Sequence, residues 1–452
     1  MRGTHLRFCA QVRAAVDAVN SEIRVGLCSG YTSWDVEGTD AMEVSRALAG
    51  KNTKPFLRFT GAPYWAAEDH QRYPGFHLNS VIEITRAQEA WCRDSGIEIF
   101  DENDSYPRPS YHTSVSLVEG LDLALRANGN IGSLKYVLDY VSSPNYEPAY
   151  IRNHKRNMPF YRWIEKHFSG KTAQGVKLYR NMRTVREATL PDELISEGNV
   201  MIRFFPISAA FLSEQSIPIS YEDGVPACGI AFGEDVNAID TMPRKLIIDL
   251  PAALCLQGKG IDVGIRSWKF APQPNCESFV PASGQVETLK VSMIWAPNLG
   301  PAKFYDCELA DNAVVHSLFH SEETNLGSYV YDNGETEFLV FAFEAQTVSP
   351  ASTMFRSYSR QKQLLDFIGG EFPTIRNVPG IYTLYKTAGN PAAALFENIS
   401  LDPLFDFDIE LGKPCKEMEL YGAEGTLSED GCRIHITSDV PPYGAIGLAL
   451  IY

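Results

Sequence analysis

The sequence lacks several features, and each absence excludes a class of protein. It has no run of 18 or more apolar residues, so it predicts no membrane-spanning helix. Its nine cysteines include no Cys-x-x-Cys pair, which argues against a zinc site and favours free thiols over a disulfide framework. The Gly-Lys-Gly stretch at 258–260 lacks the pattern of a phosphate-binding loop, and His316 and His320 have no Glu between them, so we expect no metal and no cofactor.

Basic residues are also few. The chain has 40 Lys and Arg against 56 Asp and Glu, which gives a formal net charge of −16. An acidic surface disfavours nucleic acid and anionic membranes as partners and suits a neutral substrate. No signal peptide is recognisable at residue 1, so we expect a cytoplasmic protein.

The first part of the chain alternates between helical and strand-like patterns. Each apolar strand follows a helix, and the repeat recurs about every 35 residues, which indicates a parallel sheet. The predicted helices cover 6–19, 41–48, 81–92, 115–127 and 150–168, and the predicted strands cover 24–28, 55–60, 97–100 and 134–140. Four such units fit either half of a (β/α)8 barrel or a small open α/β sheet.

Two further domains are predicted after this region. Residues 186–380 again alternate helix and strand, for example Lys245–Asp249 followed by a helix, and resemble a flavodoxin-like layer. Residues 381–452 show strand alternation in 405–411 and 433–437, which favours a small β-sandwich. We therefore predict an α/β protein with domains at 1–185, 186–380 and 381–452.

Polar clusters follow three successive strands, at the ends where a barrel has its active site. Asp101, Glu102 and Asp104 follow the third strand, although helix-capping acids in a solvated loop explain the same composition. The other two clusters have similar alternatives, since aromatics also pack under loops and Asp40 is better explained as a helix N-cap. The candidate binding residues are Trp34, Asp35, Arg58, Tyr64, Trp65, Asp104, Tyr106 and Arg108.

The stretch from Asp40 to Trp65 and the run 101–108 resemble the glycoside hydrolase family 42 β-galactosidases and the family 164 β-mannosidases. This resemblance implies a TIM (β/α)8 barrel, a flavodoxin-like domain that drives trimerisation, and a C-terminal β-domain. It also implies a retaining mechanism, in which two carboxyl groups roughly 5 Å apart flank the glycosidic bond. If the four predicted strands are numbers five to eight of the barrel, Glu102 is the nucleophile and Glu98 is its rival inside the strand.

The same resemblance implies that the acid/base Glu belongs to the first half of the barrel, which this sequence does not contain. We therefore expect the C-terminal half of a barrel, acting on a β-linked oligosaccharide or glycoside as a homotrimer. The alternative is a non-catalytic carbohydrate-binding or assembly protein derived from such an enzyme by truncation. An amidotransferase-like hydrolase is disfavoured because the middle region shows no Cys in a strand-to-helix elbow.

Overall fold

The computed structural model describes residues 2–29, 40–67, 77–105, 113–137, 148–180, 207–280, 287–290, 303–345, 357–376, 378 and 380–452. The chain divides into two compact units. The first contains the described residues up to 169 together with Tyr443–Ala445, and the second contains those from 170 to 442 together with Ile446–Tyr452. The predicted domain boundaries at 185 and 380 stay predictions.

The first unit alternates helices and parallel strands, as predicted. Its helices are α1 (Arg2–Asp17), α2 (Ala41–Ala49), α3 (Leu78–Trp91), α4 (Val115–Asn128) and α5 (Pro148–Phe168), with a 3₁₀ helix at Pro63–Ala66. Its strands are β1 (Leu27–Cys28), β2 (Phe56–Arg58), β3 (Glu98–Asp104) and β4 (Gly132–Tyr136). They pair in parallel in the order β1-β2-β3-β4.

Local capping explains where these helices begin and end. The Asp40 carboxylate accepts hydrogen bonds from the N–H groups of Met42 (2.8 Å) and Glu43 (3.2 Å), so its predicted role as the N-cap of α2 is confirmed. Ser114 caps α4 through Leu117 N (3.1 Å). Gly129 follows α4 at a φ of 130°, a conformation that glycine adopts without strain.

The two sides of the β1–β4 sheet differ. Leu57 and Phe59 pack with residues of α2 and of the end of α3, and we call this the helix-facing side. Because strand side chains alternate, Arg58, Phe100 and Glu102 lie on the opposite side, which we call the inner face.

The second unit contains a nine-stranded mixed sheet, two small antiparallel sheets and a two-stranded ribbon. Its helices are α6 (Ile207–Ser213), α7 (Leu250–Gly258) and α8 (Tyr358–Ile368), with a 3₁₀ helix at Gly233–Ala238. Its strands are β5 (Thr172–Gln174), β6 (Val176–Leu178), β7 (Ile219–Ser220), β8 (Cys228–Ala231), β9 (Lys245–Asp249), β10 (Ile265–Ala271), β11 (Cys276–Phe279), β12 (Glu287–Lys290), β13 (Phe304–Leu309), β14 (Val314–His320), β15 (Thr324–Asp332), β16 (Glu337–Phe341), β17 (Thr374–Ile375), β18 (Ile381–Thr387), β19 (Ala392–Asn398), β20 (Phe407–Glu410), β21 (Glu417–Tyr421), β22 (Gly425–Leu427), β23 (Arg433–Ile436) and β24 (Ala445–Ile451).

The nine-stranded sheet has the order β12-β11-β14-β15-β16-β9-β8-β6-β7. Strands β16, β9, β8, β6 and β7 run parallel, and the others pair antiparallel. Asp249, at the end of β9, is buried and connects the ends of the central strands of this sheet. Its carboxylate accepts hydrogen bonds from the N–H groups of Gly233 after β8 (2.8 Å), Ala252 in α7 (3.1 Å) and Ala345 after β16 (3.0 Å). Burial raises the pKa of Asp249 to about 7 against the effect of these hydrogen bonds.

The remaining strands build smaller sheets. Strands β10 and β13 form the ribbon, and the last strands form sheets ordered β17-β20-β23-β22 and β21-β24-β19-β18-β5. Apolar side chains from both of these last sheets, such as Ile409 and Leu448, belong to one buried core. Strand β5 pairs with β18 although the paired residues Thr172 and Thr387 are 215 positions apart along the chain, so this sheet includes residues from the predicted first domain.

Candidate functional site

Glu102 lies near the C-terminal end of β3, on the inner face of the sheet. Its side chain is 14% exposed, and its Oε1 atom lies 2.5 Å from Nη1 of Arg58, which is 18% exposed. The two residues come from the C-terminal ends of adjacent parallel strands. The structure therefore brings together two residues that the sequence placed in separate clusters.

The surroundings of Arg58 favour its charged form. Loss of solvent by the Arg58 guanidinium lowers its pKa, but the Glu102 carboxylate and the nearby Cys28 thiol outweigh this effect, so the pKa of Arg58 lies above its ordinary value. Cys28 is the cross-strand neighbour of Arg58.

The second oxygen of Glu102 has weaker partners. Oε2 accepts a hydrogen bond from the Thr60 hydroxyl at 3.3 Å and one from the Gly61 N–H at 3.2 Å. Gly61 has a φ of 144°, and a Cβ at this position would come within 2.7 Å of the Thr85 hydroxyl, so a side chain is strained here. Sequence reasoning missed Thr60 and Gly61, although Thr60 ends the predicted strand and Gly61 follows it directly.

The other predicted binding residues differ in their surroundings. Tyr64 and Trp65 lie in the 3₁₀ helix after β2, with ring centroids 6.2 Å apart and planes at 88°. Tyr64 is half-buried and Trp65 is buried. Asp104 ends β3 and is partly exposed. Contact of these three residues with a sugar stays a prediction, and the predicted residues Trp34, Asp35, Tyr106 and Arg108 lie outside the described residues.

A cluster of potential metal ligands lies on the helix-facing side. Carboxylate oxygens of Glu119 and Asp122 and a ring nitrogen of His154 lie within 4.8 Å of one another. The Lys135 ammonium, however, lies between them, 2.5 Å from Glu119 Oε1, 2.8 Å from Asp122 Oδ2 and 3.0 Å from His154 Nδ1. These donors therefore already bind a cation, and they do not fit a metal centre while Lys135 is in place.

Asp101 precedes Glu102 and points to the helix-facing side, where it is fully buried. Neither of its oxygens makes a well-formed hydrogen bond among the described residues. Burial, and then the Asp122 carboxylate, raise the pKa of Asp101 to about 8, although the Ser133 hydroxyl favours its charged form. Burial and the Asp101 carboxylate likewise raise the pKa of Glu89 to about 8. The folded chain therefore holds protons here that an unfolded chain releases.

This proton uptake predicts a pH-dependent stability. The pKa of Asp101 is about 8 when folded and 3.8 by its ordinary value, so the folded state binds the extra proton between these pH values. The free energy of unfolding should then fall as pH rises through this range. In Asp101→Asn the decrease in the free energy of unfolding between pH 5 and pH 8 should be smaller than in the unsubstituted chain, by on the order of 3 kcal/mol. Urea unfolding at several pH values measures it.

Asp94→Asn is the matched control, because Asp94 is exposed in the same unit and an Asn tolerates its positive φ of 57°. This variant should keep the pH dependence of the unsubstituted chain. If the free energy of unfolding depends on pH equally in Asp101→Asn and in the unsubstituted chain, Asp101 is ionised in the folded state and the prediction is contradicted.

Comparisons with known proteins find likeness in structure only. No protein-family profile and no curated protein matches the sequence. Similar solved structures include a β-galactosidase from Rahnella sp. R3 (TM-score 0.52, 13% identity, covering 99% of this chain and 66% of that chain). Gan42B, a GH42 β-galactosidase from G. stearothermophilus, gives a TM-score of 0.53 at 9% identity over 92% of this chain and 61% of that one.

A third similar structure is α-L-fucosidase isoenzyme 2 from Paenibacillus thiaminolyticus, with a TM-score of 0.56 at 11% identity. It is covered over 71% of its length, and 99% of this chain is covered. The chain thus spans 61% to 71% of the length of these three neighbours. It has an α/β fold of the glycoside hydrolase type, related to the TIM barrel, and this part of the fold prediction is confirmed.

The finer parts of the prediction are not decided by these likenesses. The described residues include no closed barrel, and their parallel β1–β4 sheet is open at both edges. The flavodoxin-like middle domain, the C-terminal sandwich and the homotrimer stay predictions. Among the described residues, no helix combines the length and the apolar character needed to cross a bilayer.

Proposed function

We propose that this chain is part of a retaining β-glycosidase in which Glu102 is the nucleophile. The observation that carries the proposal is the Glu102 carboxylate at the end of a parallel strand, 2.5 Å from the Arg58 guanidinium. A nucleophilic carboxylate has to be ionised, and a charged arginine beside it favours that state. The substrate is a β-galactoside or a β-mannoside, and the assembly is a homotrimer.

The contacts of Glu102 define a role for each neighbour. Oε1 is held by Arg58, whereas among the described residues Oε2 has just the two longer hydrogen bonds from Thr60 and Gly61. We therefore assign the attack on the anomeric carbon to Oε2, which forms an ester as the leaving oxygen departs with its electron pair. Arg58 orients the carboxylate, and Tyr64 packs beside the sugar.

The other carboxyl group and four further βα units belong, in this proposal, to a part of the enzyme outside this sequence. The inner face supports this view, because a barrel interior is normally filled with side chains. Here Cys28 is exposed, and Leu134, which pairs with Glu102 across the strands, is 40% exposed. Further strands beside β1 and β4 would bury both.

A mechanism-based label tests the nucleophile directly. The chain is incubated with activated 2-deoxy-2-fluoro glycosides of galactose, mannose and fucose, and the product is examined by intact mass and by fragmentation of its peptides. Trypsin should release residues 94–126 as one peptide, because Arg108 is followed by Pro109. We expect one sugar per chain, bound to Glu102, because the fluorine slows hydrolysis of the ester more than its formation.

Variants decide between the carboxylates within that peptide. Glu102→Gln should abolish labelling, whereas Glu98→Gln should leave it unchanged, since Glu98 pairs with Arg24 at the start of β3. A label on Glu98, or on any residue other than Glu102, would refute the assignment. The experiment is best repeated with any longer reading frame or second chain that supplies the four further βα units of this proposal.

A non-catalytic carbohydrate-binding role is the second candidate. The observation that favours it is the occupation of both oxygens of Glu102, by Arg58 on one side and by Thr60 and Gly61 on the other. Such a carboxylate accepts hydrogen bonds well but has to shed partners before it attacks. Sugar binding in calorimetry without any labelling of the full reading frame would favour this candidate over the first.

A further inference from the structure

The helix-facing side of the β1–β4 sheet is apolar at β2 and becomes polar towards the C-terminal end of β3. Leu57 and Phe59 on β2 and just after it are apolar and buried. On β3 the apolar Ile99 lies opposite Leu57, but further along the strand this side carries Asp101 and Asn103, both of which are fully buried. A parallel sheet covered by helices is normally apolar on this side. A buried polar layer costs solvation energy, so its presence calls for a specific role.

Lys135 of β4 is at the centre of this layer. Its side chain is 15% exposed and contacts two carboxylates and a histidine from α4 and α5, as described above. Asp122 is further bonded by Arg126 Nε at 2.6 Å. Glu119 Oε2 accepts hydrogen bonds from Asn157 at 3.0 Å and from the Tyr161 hydroxyl. One ammonium group thereby joins β4, α4 and α5.

The same layer holds β3 on both sides of Glu102. Asn103 pairs with Lys135 across the strands, and Asp101 pairs with Ser133. The Asn103 side chain donates a hydrogen bond to the Val118 carbonyl in α4 at 2.8 Å. Because side chains alternate along a strand, the burial of Asp101 and the hydrogen bond of Asn103 on this side direct Glu102 to the inner face.

We propose that Lys135 is a positioning residue for Glu102. Its ammonium fastens the ends of β3 and β4 to α4 and α5, so that the Glu102 carboxylate stays within reach of Arg58 and of a substrate. Lys135 itself lies on the far side of the sheet and does not contact the sugar. The inference rests on the proposed function, because it assigns Glu102 the role of nucleophile.

The variants have to separate positioning from folding. Lys135→Met alone leaves Glu119 and Asp122 buried without their cation, which destabilises the fold strongly. The double variant K135M/D122N removes one positive and one negative charge and leaves an amide oxygen to accept from Arg126. Ser45→Ala is the control, since Ser45 is also buried in the first unit and bonds the Ala41 carbonyl at 2.8 Å.

Time-dependent inactivation by the 2-fluoro glycoside gives a binding constant Ki and a labelling rate constant ki. In K135M/D122N we expect ki to fall by about tenfold to a hundredfold while Ki changes little, because a displacement of about 1 Å has an effect of this size on reaction. Partial unfolding would lower the fraction of labelled chain and not ki. Ser45→Ala should keep both constants. A double variant with the original ki would overturn the proposal.

Hydrogen exchange tests the positioning without any sugar. In K135M/D122N the amides of 98–105 should exchange about tenfold faster, while those of 56–58 should exchange at their original rate. Unchanged protection at 98–105 would overturn the proposal even if labelling were slowed. If the unsubstituted full-length enzyme is never labelled, the proposed function fails, and hydrogen exchange still decides whether Lys135 holds β3 in place.

Discussion

Replacement of Glu102 by alanine should abolish glycoside hydrolysis by the complete enzyme. We expect kcat to fall on the order of 10⁴- to 10⁶-fold, the range seen when a covalent nucleophile is removed. The variant keeps Arg58, so substrate binding should weaken less than turnover. The measurement uses a dinitrophenyl glycoside, because a good leaving group needs little proton donation and isolates the nucleophile from its acid/base partner.

Rescue by azide distinguishes loss of the nucleophile from general damage. Alanine leaves a space beside Arg58, and a small anion bound there can attack the anomeric carbon from the side that Glu102 occupied. The bond from carbon to the phenolate oxygen breaks as the bond from carbon to azide forms, so a β-glycoside should yield an α-glycosyl azide. Mass spectrometry and NMR identify it.

Glu98→Gln is the control for both measurements. Glu98 begins β3, where it pairs with Arg24 at 2.5 Å and with Lys54 at 3.3 Å. Both partners lower the pKa of Glu98, mainly through the hydrogen bond from Arg24, as expected of a surface ion pair. This variant should therefore keep kcat and give no azide product. Full activity of Glu102→Ala, or β-configured azide, would exclude Glu102 as the nucleophile.

The helices of the first unit could be predicted to within a few residues because their ends have local causes. Helix α4 begins after the Ser114 cap and stops before Gly129, and both signals are readable in the sequence. The apolar run at 261–265 resembles a strand in the sequence, but a local cause of the same kind prevents one there. The Asp262 carboxylate accepts the Gly264 N–H at 2.9 Å and Gly264 has a φ of 81°, so a turn replaces the apolar run and β10 begins only at Ile265.

The candidate site was predictable in outline but not in detail. The acids after the third strand were found, yet Asp101 faces the helices and Glu102 the inner face, because β3 continues to Asp104 and its side chains alternate. The ion pair with Arg58 depends on strand order, which the sequence does not state. Gly61 escaped notice because it contributes a backbone N–H, a group that every residue type except proline carries.

The largest effect on stability is expected in the second unit, at the ion pair of Arg360 and Glu277. Both side chains are fully buried, with Arg360 Nη2 2.6 Å from Glu277 Oε2. Arg360 Nη1 also donates to Gln363 Oε1 at 2.5 Å, and the guanidinium lies 4.8 Å from the centroid of the Phe341 ring. Desolvation lowers the pKa of Arg360, and only the Glu277 carboxylate opposes this effect.

Arg360→Met should lower the free energy of unfolding of the second unit by about 3–5 kcal/mol, because it leaves Glu277 charged and buried without its partner. Arg244→Met is the matched control. Arg244 also pairs with a carboxylate, that of Asp332, at 2.5 Å, but the two side chains are 53% and 42% exposed, so its loss should lower the free energy of unfolding far less than the loss of Arg360. Urea unfolding of both variants measures the difference.

The double variant R360M/E277L separates the cost of an unpaired charge from the worth of the pair. With both charges removed, the site is lined by Phe211, Phe279 and Phe341, and Gln363 loses the donor to its Oε1, so stability should return to within about 1–2 kcal/mol of the original value. If the double variant is as unstable as Arg360→Met, the pair itself holds the helix α8 to β11. That outcome would assign the stability to the hydrogen bonds of Arg360 rather than to relief of a buried charge.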